Sequence, residues 1–407
     1  MSVTVRLKAL QVLFPYVFLF VLSLLIFLPI MEAATERRLD FGSHIRIAEA
    51  LPQGVKSESH KSVSHVLYHA VYKLLKAWLP QHEPSNIALM AIMVFVIPLP
   101  LIIYSILKRN CAGPIAAPGI LLLSLGLAIA SPITFWADYV MIGYFNPIVY
   151  HNPTLIALRL FAIPVSLLAL GVFSNTSYRN ANHQLYTLLL CSSVILLSTL
   201  AKQSYTLVLI PGCCAFAAWR AFRGNRVDWI LLVFGICIPG SLMLGLQYLI
   251  SYGDFTNDSI ISFGVFAFFR YYIPDWRVPI QLLLSLAFPI AVYLLFFREA
   301  RKHLYLNLSW TVFAVSAFVT YCLYETGLRI GHGNFLWNSY ITVFVLMFAS
   351  VLFLVQQYVR SRLDVVHQSM SSRMSLKFSI SAVLLGSHVF FGIGYYVRFL
   401  IGIDIIK

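Results

Sequence analysis

An all-α polytopic membrane protein is the fold class this sequence predicts, and three observations carry the prediction. The 407 residues are 60% hydrophobic and 11% charged, with a mean hydropathy of +0.82, well above what a soluble globular chain of this size shows. Apolar runs of roughly 17 to 23 residues, each able to cross about 30 Å of hydrocarbon, recur from end to end. The polar segments between them alternate between basic and acidic. The whole reads as a single transmembrane domain over residues 1–407.

About eleven spans follow at this length scale: 12–31, 87–107, 115–135, 154–173, 185–201, 205–222, 229–250, 278–297, 304–324, 337–359 and 378–399. The first has a basic start and is followed by Ala33 and Ala34, as a signal peptide would be. Its apolar run exceeds the usual signal core of about 7 to 15 residues, so an uncleaved helix is expected. Spans five and six nearly touch at 201–204, as a tight hairpin or as broken helices.

Charge asymmetry orients the chain, because short basic loops stay cytoplasmic. With the N terminus inside, one side collects Arg6, Lys8, Lys108, Arg109, Arg179, Arg220, Arg223, Arg226, Arg298, Arg301, Lys302, Arg360, Arg362, Arg373 and Lys377. Of the 15 carboxylates only Asp228, Glu299 and Asp364 share that side. The net charge of +14 therefore reflects topology and attraction to anionic lipid, and it implies no nucleic-acid partner. The expected location is a bacterial inner membrane. The six cysteines lie in spans or on the basic side, which argues against an external disulfide framework.

One extracytoplasmic loop is long, from Glu32 to Asn86. After Asp40 the positions Phe41, Ile45, Ala48 and Leu51 form one apolar stripe of a short amphipathic surface helix, ended by Pro52 and Gly54. A second stripe, Val63, Val66, Leu67, Ala70, Val71, Leu74, Leu75 and Trp78, predicts a surface helix over 61–79, stopped by Pro80. Its opposite face carries His65, His69, Lys73 and Lys76. Without a third ligand at metal spacing, that face is expected to be solvated rather than to bind a metal. Glu36, Asp40 and His44 would share one face if the first helix began early. A carboxylate there, beside His44 and Arg46, is a candidate general base; a simple boundary charge is the alternative.

Other outer segments concentrate polar chemistry. Residues 136–154 contain Asp138 and two Asn-Pro turns next to His151, and suggest a folded re-entrant segment lining a cavity; simple turn and helix-start chemistry is the alternative. Lys202 sits between two spans, where a cation is expected to neutralise an anion or pair with a carboxylate; snorkelling to the interface is the alternative. Glu325, Arg329, His332 and Asn334 crowd a glycine-rich loop that ends at Asn338. The segment 251–277 adds arginines and aromatic rings that suit either a ligand or an ordinary aromatic belt. Walker, dinucleotide and zinc-peptidase motifs are missing from the sequence, as is a convincing repeat, which argues against ATP-driven transport and intramembrane metalloproteolysis.

In its architecture, and in residues 36–46 with the outer polar segments, the chain resembles the GT-C superfamily of membrane glycosyltransferases. The resemblance implies a sugar donor on polyprenyl phosphate, an acceptor that is lipid-linked or part of a cell-surface glycan, and inverting transfer on the outer face. It implies that Asp40 deprotonates the acceptor, with Glu36 as a rival, and that Lys202, Arg329 and Arg46 hold the departing phosphate. His44, His151 and His332 would position substrate, with Asp138, Glu325 and Asn334 as further substrate contacts. Many members carry adjacent acidic residues where this chain has Asp40 followed by Phe41, so a reaction without divalent metal or other cofactor is expected, with Asp138 the candidate second ligand otherwise. A repeat-unit polymerase of O-antigen or exopolysaccharide type is the nearest alternative, and a lipid-linked sugar flippase is the non-enzyme one.

Overall fold

The structure is a computed structural model, and it describes residues 3–37, 40–50, 65–111, 117–136, 142–174, 181–252, 260–364 and 372–403. It is helical nearly throughout. The helices are α1 (Val3–Glu36), α2 (Asp40–Ala50), α3 (Leu67–Trp78), α4 (Pro84–Val96), α5 (Pro98–Asn110), α6 (Ala117–Ile129), α7 (Pro153–Gly171), α8 (Ala181–Ala201), α9 (Ser204–Phe222), α10 (Ile238–Tyr252), α11 (Arg277–Ser285), α12 (Ala287–Leu295), α13 (Phe297–Ala300), α14 (Leu304–Cys322), α15 (Leu336–Asp364) and α16 (Ser372–Leu400). Among the described residues nine helices are long and apolar enough to cross a membrane, or ten if a bent pair is one span. The chain is an integral membrane protein of all-α class. A two-stranded antiparallel sheet, β1 (Ile261–Phe263) with β2 (Leu323–Glu325), is the one exception among the described residues, and it shortens the span expected over 304–324.

Departures from uniform spans have local causes. Pro98 lacks the N–H that would continue the ladder, so the second span is built from α4 and α5 in series. The span expected over 278–297 is α11 and α12, bent by 64°. The one expected over 115–135 is the short helix α6, with 112–116 outside the described residues. Between α8 and α9 the chain reverses: the hydroxyls of Thr199 and Thr206 come within 2.8 Å, which decides for the hairpin.

Lateral position follows composition. Helix α15 is apolar on all sides and packs against α5, α6, α7, α9, α12 and α14, so it is the centre of the bundle. Its Thr342 and Ser350 hydroxyls bond carbonyls one turn back, at 2.9 and 2.8 Å, which hides their polarity. Helix α16 instead exposes Leu376, Val383, Phe390 and Val397, a stripe at seven-residue spacing suited to lipid. Arg37 ties the end of α1 to that of α16, donating to the carbonyls of Phe399 and Leu400.

The segment before α7 is buried without being helix or strand. Tyr144, Phe145, Asn146, Ile148, Val149 and Tyr150 are all at most 1% exposed. Irregular backbone at such depth needs internal partners, and it has them. Phe145 N donates to Ser285 Oγ at 2.9 Å, and Ile148 N donates to Asn146 Oδ1 at 3.1 Å. Gly143 makes the approach possible: its φ is +92°, and a Cβ there would lie 1.9 Å from Gln281 Oε1. Gly143→Ala is expected to cost of order 1–3 kcal/mol from backbone strain alone, read as an earlier thermal transition in detergent. An unchanged transition would show that the segment relaxes freely.

Candidate functional site

The ends of α1, α8 and α14 and the beginnings of α2, α7, α9 and α15 lie at one end of the bundle, and there the chemistry gathers. Asp40 is the first residue of α2, where a carboxylate is favoured by the helix dipole. Asn152 caps α7, with Pro153 following it as the first helical residue. Its Oδ1 accepts from Leu155 N and from Thr154 Oγ1, both at 2.9 Å. That fixes the amide, and its Nδ2 donates to Asp40 Oδ2 at 2.9 Å.

Lys202 completes a directed chain. From the turn between α8 and α9 its Nζ donates to Thr154 Oγ1 at 3.1 Å, so the bonds run from Lys202 to Thr154, to Asn152 and to Asp40. The ammonium lies 4.8 Å from the ring centre of Trp337, and the residue is 5% exposed. Among the described residues no carboxylate lies within 4.0 Å of it. Burial pulls Lys202 from the ordinary lysine range down to about 8, while Asp40 pushes it back up. A cation held this way favours an arriving anion.

His151 Nε2 stands 4.0 Å from Asp40 Oδ2, the side chains being 9% and 44% exposed. The carboxylate is thus open to a ligand while the imidazole beside it is enclosed. Burial lowers the His151 pKa, Asp40 raises it and Lys202 lowers it again.

Three more histidines adjoin this group. His44 lies one turn along α2 from Asp40, and its Nδ1 is 3.0 Å from His69 Nε2. His69 Nδ1 donates to the His65 carbonyl at 3.0 Å, so its Nε2 must accept and His44 Nδ1 must carry the proton. His65 Nδ1 donates to Gln203 Oε1 at 3.0 Å, next to Lys202. Burial, then Lys202 and His69, lower His65 to about 3 while Gln203 raises it. Burial lowers His69 to about 4 against its backbone bond. His44 is lowered by burial first, then by His69, His65 and Lys202. His69, with one ring nitrogen donating and the other accepting, is neutral, and all three serve as hydrogen-bonding groups.

This corrects the expectation of a solvated histidine face on α3. Ala70, Leu74, Ala77 and Trp78 point outward, and Tyr68, His69 and Tyr72 are buried. The physical reason is packing: α3 lies against α2, α4, α7 and α8, and the side carrying Tyr68, His69 and Tyr72 is the one enclosed by those contacts. Among the described residues no group of three or more His, Cys, Asp or Glu is placed to hold a metal ion.

Asp40, His44, His151 and Lys202 are brought together; Glu36, Arg46 and Asn334 are not among their bonded partners. Helix α1 ends at Glu36 and α2 begins at Asp40, so Glu36, which is exposed, does not share the face of Asp40 and His44. Arg46 is exposed, with Nη2 3.3 Å from Ser43 Oγ. Glu325, the last residue of β2, is 4% exposed and accepts from Asn334 Nδ2 at 2.6 Å, which ties the strand to the segment before α15. Asp138 and the side chains of Arg329 and His332 lie outside the described residues. Asn152, Thr154 and Trp337 belong to this group as well, although the sequence does not mark them as site residues. The Asn-Pro pair was the available signal for the first two, and nothing distinguished Trp337 from a belt aromatic. No family model, curated protein or solved structure matches this chain.

Proposed function

We propose that the protein is a membrane glycosyltransferase of GT-C type, moving a sugar from polyprenyl phosphate to a lipid-linked or cell-surface acceptor on the face that the charge pattern reads as extracytoplasmic. The directed chain from buried Lys202 through Thr154 and Asn152 to accessible Asp40 is the observation that supports it most. It sets a base and a phosphate-binding cation side by side with fixed orientations.

In this reading Asp40 Oδ takes the proton of the acceptor hydroxyl as its oxygen attacks the anomeric carbon. The bond from that carbon to the phosphate oxygen breaks, and the electron pair leaves on the phosphate. Lys202 faces the charge that develops there. A single displacement inverts the anomeric centre. Asn152 holds Asp40 with the second oxygen available, and Trp337 offers an aromatic face on which a sugar can stack.

Charge distribution favours one-sided chemistry over passage through the bilayer. Arg159, within α7, is 4% exposed, bonds the Ala128 carbonyl at 2.9 Å and lies over Phe344 at 4.5 Å, so it is packed inside the bundle. Purified protein in liposomes, given a polyprenyl-phosphate sugar and an acceptor lipid, is expected to form a glycosidic product. Movement of sugar-lipid between leaflets without product would overturn the assignment in favour of a transporter.

A further inference from the structure

The other end of the bundle holds a cavity of about 850 Å³ bounded by the ends of α5, α7, α13, α14 and α15. On α15, Trp337 of the candidate site and Gln356 of the cavity are separated by about 28 Å at helical rise. We propose that this cavity is a second, separate anion site, binding a phosphate group carried on a ligand such as an anionic lipid headgroup.

Arg109, Arg298, Lys302 and Arg360 line it against a single carboxylate, Glu299. Among the described residues none of these five forms an ion pair within 4.0 Å, so their charge is available to a ligand. The polar wall is built rather than incidental. His303 Nδ1 accepts from Leu306 N at 3.2 Å, which leaves its Nε2 proton to donate to Gln356 Oε1 at 2.8 Å. Gln356 Nε2 in turn donates to Asn110 Oδ1 at 2.9 Å. This network pins the ends of α5, α14 and α15 around the opening, and it spends its own hydrogen bonds internally, leaving the arginines and Lys302 to the ligand.

The volume falls within the range of about 300–1,000 Å³ usual for ligand pockets, large enough for a phosphate with the carbons attached to it. Ile106, Leu167, Leu170, Leu304 and Leu352 supply its apolar wall, suited to the carbons next to a phosphate. The charge pattern reads this end as cytoplasmic, where basic pockets between spans meet anionic headgroups.

Native mass spectrometry of protein released from phosphatidylcholine nanodiscs doped with phosphatidylglycerol tests the site. Wild type is expected to retain phosphatidylglycerol selectively, and Arg298→Gln/Arg360→Gln to retain it at least tenfold less. The equally charge-reducing Arg226→Gln/Arg373→Gln, outside the cavity lining, should behave as wild type, and the charge-conserving Arg298→Lys/Arg360→Lys should keep most of the retention. Glycerol phosphate displacing the lipid at millimolar concentration would assign a soluble phosphate ester as the ligand. Equal loss in both double variants, or no selective retention by wild type, would overturn the proposal.

Discussion

Asp40→Asn is expected to abolish sugar transfer, lowering kcat by roughly 10²- to 10⁴-fold, the usual contribution of a general base, with insertion and folding unchanged. The substitution conserves volume, and the amide oxygen of the new side chain can still accept from Asn152 Nδ2, which now reaches Asp40 at 2.9 Å. What disappears is the negative charge and the proton acceptor. Glu36→Gln makes the contrast decisive, because Glu36 is exposed at the end of α1 and does not share the face of Asp40 and His44. It is expected to keep wild-type turnover. The reverse pattern, an active Asp40→Asn and an inactive Glu36→Gln, would falsify the assignment and move the base to Glu36.

Lys202→Met is expected to weaken binding of polyprenyl phosphate by roughly tenfold to a hundredfold, the worth of a hydrogen bond to a charged group, while leaving the protein at least as stable. The two effects have opposite signs for one reason. Burial holds Lys202 at about 8, below its value of about 10.4 in an unfolded chain. Below pH 8 the folded protein therefore keeps a desolvated cation at a cost. Between about 8 and 10.4 the unfolded state binds more protons than the folded one, so stability of the ligand-free protein rises with pH in that window. Binding of phosphate runs the other way. It needs the ammonium, so affinity falls as pH rises through about 8, and this step is absent in Lys202→Met. Titration of lipid-phosphate affinity from pH 6.5 to 9.5 in both proteins measures it. Parallel profiles would remove Lys202 from the phosphate site. Asp40→Asn should shift the same step to lower pH, because Asp40 is the charge that raises Lys202.

How far this site was legible in advance differs from residue to residue. Lys202 was readable because a cation between two spans has few satisfactory environments, and its burial under Trp337 is one of them. Asp40 and His44 were readable as one face of a helix. His65 and His69 were readable as a pair but not in direction. Periodicity says which residues share a face but not which neighbours that face will meet, and packing of α3 on α2, α4, α7 and α8 encloses the histidines. Glu325 and Asn334 drew notice by density alone, yet they satisfy one another at 2.6 Å.

The sequence by itself determined the membrane class, the approximate extent of most spans and which loops are basic. These depend on residue composition over about twenty positions, and the cost of polar groups in hydrocarbon enforces them wherever the helix sits. Only the tertiary structure decided that Asn152 and Thr154 link Lys202 to Asp40, that α3 turns its histidines toward Gln203, and that four cations surround a cavity at the other end. Such arrangements join residues separated by 112, 138 and 246 positions, and the distances and tautomers that give them their chemistry arise from how helices pack rather than from any local pattern.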